Sequence, residues 1–140
     1  RWNEINRMLF DEKLGHLIVG ETHLNDEQVN EIERAYPRMR IYNTIDPDHP
    51  NKGGVAVVLN RDITNTEGVS VRRLVSGRAI LVTIPWHARR TLTILGLYAP
   101  TGGGADNRDF WDMLSHIWLT EDVPVPDAAG GDVNVVTLGA

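Results

Sequence analysis

Four residues in this chain carry the chemistry best suited to a hard cation and a phosphate ester. Glu21 follows the apolar run His16-Leu17-Ile18-Val19-Gly20, and Asp132 follows Gly130-Gly131. A carboxylate at the end of a buried strand stands where several strand ends share a crevice, and there it can hold Mg²⁺, which takes oxygen ligands and keeps several waters. Tyr98, after Thr91–Leu97, offers an O–H donor, and Asn134 offers amide N–H groups to an anionic oxygen. Each residue also has an ordinary reading. Glu21 fits a solvated turn, Tyr98 a strand-end aromatic, and Asp132 and Asn134 are turn formers that cap backbone.

The remaining polar residues narrow the chemistry. The five histidines (16, 23, 49, 87 and 116) share no metal-ligand spacing, and the absence of cysteine removes thiolate nucleophiles and Cys-ligated zinc. Arg72-Arg73, Arg78 and Arg89-Arg90 fit solvated strand or turn positions; the alternative is a phosphate-facing role, for which Arg78, Arg89 and Arg90 are the candidates. With 19 acidic against 14 basic side chains the net charge is −5, which argues against indiscriminate binding along a phosphate backbone.

The length of 140 residues, with 41% hydrophobic and 24% charged side chains, suits one globular domain with one core. No apolar run approaches the roughly 20 residues of a membrane-spanning helix. Arg1-Trp2-Asn3-Glu4 is amphipathic, unlike a signal sequence, so the chain is expected inside the cell. Residues 2–14 have helical spacing and end at Gly15, a residue suited to a left-handed exit. Asn25 and Gln28 have the spacing of a capping box, ahead of a helix that buries Val29, Ile32 and Tyr36 and stops at Pro37. Strands are expected over 38–43, 55–59 and 69–75, with a hairpin of 79–84 and 91–98. Asp106 is placed to cap a helix burying Phe110, Trp111, Leu114, Ile117 and Trp118, and a last strand approaches Asp132. The alternation of helices and strands makes a mixed α/β (α+β) domain.

Five segments occur in an order that resembles the endonuclease/exonuclease/phosphatase family, the deoxyribonuclease I-like proteins. They are Val19-Gly20-Glu21-Thr22-His23-Leu24, Gly53-Gly54-Val55-Ala56-Val57-Val58, Leu97-Tyr98-Ala99-Pro100, Phe110-Trp111 and Gly131-Asp132-Val133-Asn134. The nearest likeness is to the endonuclease-like domain of fungal non-LTR (LINE-type) retrotransposons. The resemblance implies that Glu21 binds a catalytic Mg²⁺ or Mn²⁺, and that Tyr98 contacts the scissile phosphate. It also implies that Asp132 and Asn134 position water and phosphate. The departures are Gly20 where the family has Gln, and Val133 where it has Phe. The family's opening strand with its catalytic Asn and its closing Ser-Asp-His segment have no counterpart, so residues 1–140 correspond to the N-terminal half of that domain.

That reading implies half of a four-layer α/β sandwich: one mixed β-sheet with helices on one face. Because 55–59 and 94–97 have no polar alternation, both faces of the sheet need cover. A homodimer stacking two such sheets is the expected solution. Two functions follow. One is a nuclease-like domain with little or no catalysis that self-associates or binds nucleic acid or protein. The alternative is a Mg²⁺-dependent DNA endonuclease, for which His23 is a weak substitute base because neighbouring turn residues usually point apart.

Overall fold

Trp2, Ile5, Met8 and Leu9 recur at helical spacing, and they turn one face of α1 (Trp2–Asp11) inward, with Ile5 and Leu9 buried. The computed structural model describes residues 1–99, 105–131 and 133–134, without the side chains of 106, 133 and 134. The helix ends in a Schellman motif: Leu14 N–H donates to the Leu9 carbonyl at 2.9 Å and Lys13 N–H to the Phe10 carbonyl at 3.3 Å. The left-handed residue is Lys13, at φ 54°, rather than the expected Gly15. The helix stops a turn early because Leu14 folds back onto the apolar cluster that contains Leu9.

The second helix, α2 (Asp26–Ala35), opens on the expected capping box, in which the side chains of Asn25 and Gln28 each accept from the other's backbone N–H. Val29 is buried, with Ile32 and Tyr36 packed partly into the same cluster. Strands β1 (His16–Gly20), β2 (Met39–Thr44) and β3 (Val55–Asn60) precede β4 (Ser70–Val75), β5 (Ala79–Pro85) and β6 (Thr91–Leu97). Helix α3 (Ala105–Thr120) then leads to β7 (Ala128–Gly131) and the short β8 (Val133–Asn134). The 79–84/91–98 hairpin forms as expected, with Ala79 opposite Leu97 and Pro85 opposite Thr91.

The α/β character is as expected, but the strands form two sheets instead of one, in the orders β2-β3-β1-β8 and β4-β5-β6-β7. Alternation along the strands sorts side chains between layers. From β1, β2 and β3, Leu17, Val19, Met39, Ile41, Ala56 and Val58 face α1 and α2. Ile18, Tyr42, Val55, Val57 and Leu59 face the other way, against Ile80, Val82, Ile84 and Ile94 of the second sheet. On that sheet's outer side, Ala79 meets Phe110 and Leu114 of α3. Helices therefore lie on both outer faces, not on one. The central strands are covered on both sides, and the sheet face expected to take a second copy is covered by the chain's own second sheet.

Two details follow from this layering. Trp111, expected in the core, is 43% exposed, because the face of α3 carrying Phe110 and Leu114 is turned to the sheet and its neighbour at 111 lies about 100° round the helix. Trp118 does pack partly against that cluster. Gly96 of β6 faces β3 of the other sheet with little room: a Cβ there would sit 3.1 Å from Ile80 Cγ2 and 3.3 Å from Val55 Cγ2. Among the described residues no helix is long and apolar enough to cross a membrane.

Two outcomes are expected. Gly96→Val overfills the space between the sheets and lowers unfolding free energy by about 1–3 kcal/mol, read from urea denaturation. His16 is buried, its Nε2 has no partner among the described residues, and burial pushes its pKa below the ordinary 6.5. The unfolded chain therefore binds this proton more readily than the folded one. The resulting stability is complete above about pH 6.5 and is lost as pH falls below it. The urea midpoint should drop between pH 7.5 and pH 5.5 in wild type and drop less in His16→Leu.

Candidate functional site

At the end of β1 the backbone takes two left-handed residues in quick succession, Glu21 at φ 48° and His23 at φ 51°. Such conformations cost of order 1 kcal/mol or more for residues with a side chain, so the surroundings must hold them. They do so from three directions. Thr22 and His23 N–H donate to the carbonyls of Gly54 and Gly53 at 3.4 and 3.3 Å. Thr22 Oγ1 donates to Asn43 Oδ1 at 2.7 Å, and Asn43 Nδ2 donates to the Leu24 carbonyl at 2.8 Å. The Arg1 guanidinium donates to the carbonyls of Gly20 and Glu21, the latter at 2.7 Å.

The Gly53-Gly54 pair is the other half of this clamp. Gly54, at φ 91°, passes so close to the loop that a Cβ would lie 2.5 Å from Thr22 Oγ1, and its N–H donates to the Gly77 carbonyl at 3.0 Å. A Cβ on Gly53 would meet the Tyr98 ring at 3.2 Å. Only glycine meets both requirements here, a positive φ and room for a neighbour.

Across this floor Tyr98 reaches a residue 77 positions away: its hydroxyl donates to Glu21 Oε1 at 2.7 Å. The pair borders a cavity of about 480 Å³. His23 stands beside Glu21, and the β2–β3 loop supplies Asp46, His49, Asn51 and Lys52. The β4–β5 turn adds Ser76 and Arg78. The cavity therefore mixes two carboxylates, two cations and two imidazoles. Asp46 is held below the usual carboxylate range, first by the N–H of Asp48 and then by the His49 ring 3.2 Å away, with the charge of Arg78 adding to this. Arg78 Nη1 is buried and has no hydrogen-bond partner among the described residues.

Of the residues singled out from sequence, Glu21, Tyr98 and Arg78 share this cavity. Arg89 and Arg90 do not. They occupy the exposed turn at the far end of the β5–β6 hairpin, a strand length or roughly 20 Å away. Sequence distance along the hairpin misleads because each strand carries its two ends to opposite sides of the sheet. Asp132 lies outside the described residues. The backbone of Asn134 pairs with Ile18 of β1, and its side chain is outside the description.

His23 borders the same cavity as Glu21, with a left-handed backbone at both positions. The contributions of Asp46, His49 and Lys52 were not read from the sequence. Their signal was the polar loop 44–54 that ends on Gly-Gly, since loops held by rigid strands carry binding groups.

A divalent cation fits the donor set in a limited way. Glu21 keeps Oε2 clear of its bond to Tyr98, whereas the Asp46 oxygens are engaged in their own turn. Among the described residues no group of three His, Cys, Asp or Glu converges on one point. One carboxylate with waters and ligand phosphates suits Mg²⁺, which seldom sits in an all-protein cage.

Gly54→Ala should lower unfolding free energy by more than about 1 kcal/mol. It should also shift the Thr22 and His23 amide resonances in ¹H–¹⁵N spectra while leaving those of the β5–β6 turn in place. Comparison with protein-family models and with curated protein sequences finds no match to this chain.

Proposed function

We propose that this is a nuclease-like domain whose cavity binds the phosphate backbone of nucleic acid, DNA in the first place. In this reading Glu21 holds a Mg²⁺ or Mn²⁺ ion, and these residues alone hydrolyse the backbone little or not at all. The observation that carries the reading is the Glu21–Tyr98 hydrogen bond at 2.7 Å, beside Lys52 and Arg78. It brings together the two residues to which the family resemblance assigns metal and phosphate.

The chain's own groups make a definite sequence of contacts. Tyr98 has one O–H, which cannot donate to Glu21 and to a phosphate oxygen together. A phosphate that took the hydroxyl's donation would free Glu21 Oε1, leaving both carboxylate oxygens available to hold a cation. The capped, hydrogen-bonded loop at 21–24 keeps the carboxylate oriented while this happens. A bound divalent ion would contribute Lewis-acid polarisation of the phosphate and a more acidic water. Efficient hydrolysis needs a cooperating set of groups, and lacking one member costs orders of magnitude.

A second reading, a Mg²⁺-dependent DNA endonuclease, is favoured by one observation: His23 lines the same cavity as Glu21. An imidazole there is the kind of group that takes a proton from water near neutral pH.

The readings separate in two assays on wild type, Glu21→Gln, His23→Ala and Asp132→Ala. Under the first, Mg²⁺ tightens binding of labelled DNA in wild type, Glu21→Gln loses that gain, and plasmid nicking stays at background in all four. Mutant-sensitive nicking, reduced at least about a hundredfold in Glu21→Gln and His23→Ala, establishes the second. DNA binding without any Mg²⁺ response refutes a cation at Glu21.

A further inference from the structure

The Glu21–Tyr98 pair leaves the Arg78 guanidinium without a role. Its Nη1 is removed from water and donates to no acceptor among the described residues, and Arg78 joins none of the ion pairs there, which involve Arg38, Arg40, His49 and Arg72. A buried donor on a charged group with no acceptor is costly enough to need a partner, and here nothing within the described fold provides one. Asp46 feels the charge of Arg78, yet its oxygens accept from Asp48 N–H and face the His49 ring. Lys52, exposed on the rim of the same cavity, is likewise outside those ion pairs.

The position of Arg78 relative to Tyr98 follows from strand pairing. Ala79 stands opposite Leu97, and one step further Tyr98 N–H donates to the Arg78 carbonyl at 2.7 Å. The two are thus cross-strand neighbours at the sheet end, and both side chains line the cavity. A guanidinium presents parallel N–H groups that match two oxygens of a phosphate, and Lys52 adds a mobile point charge.

We propose that Arg78, assisted by Lys52, forms a phosphate subsite adjoining the Glu21–Tyr98 position and independent of any cation, so that the cavity takes two neighbouring phosphates of one strand. The pairing of two phosphates rests on the function proposed above; the Arg78 subsite stands on the place of Arg78 in the cavity wall beside Tyr98 and on an Nη1 that finds no acceptor among the described residues.

The test uses the full chain in EDTA, with two probes: inorganic phosphate and a single-stranded DNA of about twelve nucleotides. Both probes should shift the Gly77 and Arg78 amides in ¹H–¹⁵N spectra. Arg78→Gln should weaken DNA binding about tenfold and reduce the salt slope by about one, with Lys52→Ala acting in the same direction. Arg89→Gln, at the far end of the β5–β6 hairpin, should bind DNA in EDTA as wild type does. DNA saturating at far lower concentration than phosphate assigns the subsite to a strand; equal saturation assigns it to free phosphate and overturns the two-phosphate proposal. Unmoved Gly77 and Arg78 amides, or wild-type affinity in both Arg78→Gln and Lys52→Ala, overturn the subsite. If the subsite binds but Mg²⁺ adds nothing that Glu21→Gln removes, the cation reading fails while the subsite remains.

Discussion

Everything in this domain is referred to the dry interface between two sheets, where β1 and β3 lay Ile18, Val55, Val57 and Leu59 on Ile80, Val82, Ile84 and Ile94. Burying a side chain of this size contributes of order 1.5–3 kcal/mol, so the two sheets are held in one arrangement by many small gains acting together. That arrangement brings the end of β1 beside the end of β6, and it leaves the β2–β3 loop and the β4–β5 turn above the same gap. The cavity is a by-product of packing, formed where two sheets of fixed spacing run out of strand.

The sequence was informative wherever local chemistry decides the outcome. Asn25 and Gln28 specify a capping box whatever the rest of the chain does, and the 79–97 hairpin follows from two apolar runs and a short polar turn. It was informative also about burial on two faces, because runs such as Val55–Leu59 have no polar alternation. It was silent about what lies on the second face. A strand buried on both sides reads the same whether a helix, another sheet or another molecule covers it. Here the same pattern fits one sheet with a partner copy and the two sheets that the chain makes of its own. Helix ends show the same limit: Gly15 offers the left-handed conformation at least cost, but the packing of Leu14 against the Leu9 cluster selects Lys13.

The candidate site was legible in part for similar reasons. Glu21 and Tyr98 end apolar strands, and ends of strands are visible as a change from apolar to polar residues. Lys52 and His49 sit in a loop whose destination depends on the glycines at 53 and 54, and only three-dimensional contact with Thr22 and Tyr98 reveals what those glycines are for. Arg89 and Arg90 carried the same charge as Arg78 and looked equivalent, yet strand direction placed them at the opposite end of the hairpin.

Asn43 illustrates how the two sheets are tied. While its side chain bridges Thr22 and Leu24, its carbonyl accepts from Arg73 Nε of β4 at 3.0 Å, and its neighbour Thr44 accepts through Oγ1 from Gly77 N–H at 3.1 Å. One strand terminus thus grips the carboxylate loop with one hand and the arginine turn with the other. Hinging the sheets apart at this edge would break both grips at once, so the carboxylate loop and the arginine turn keep their spacing together.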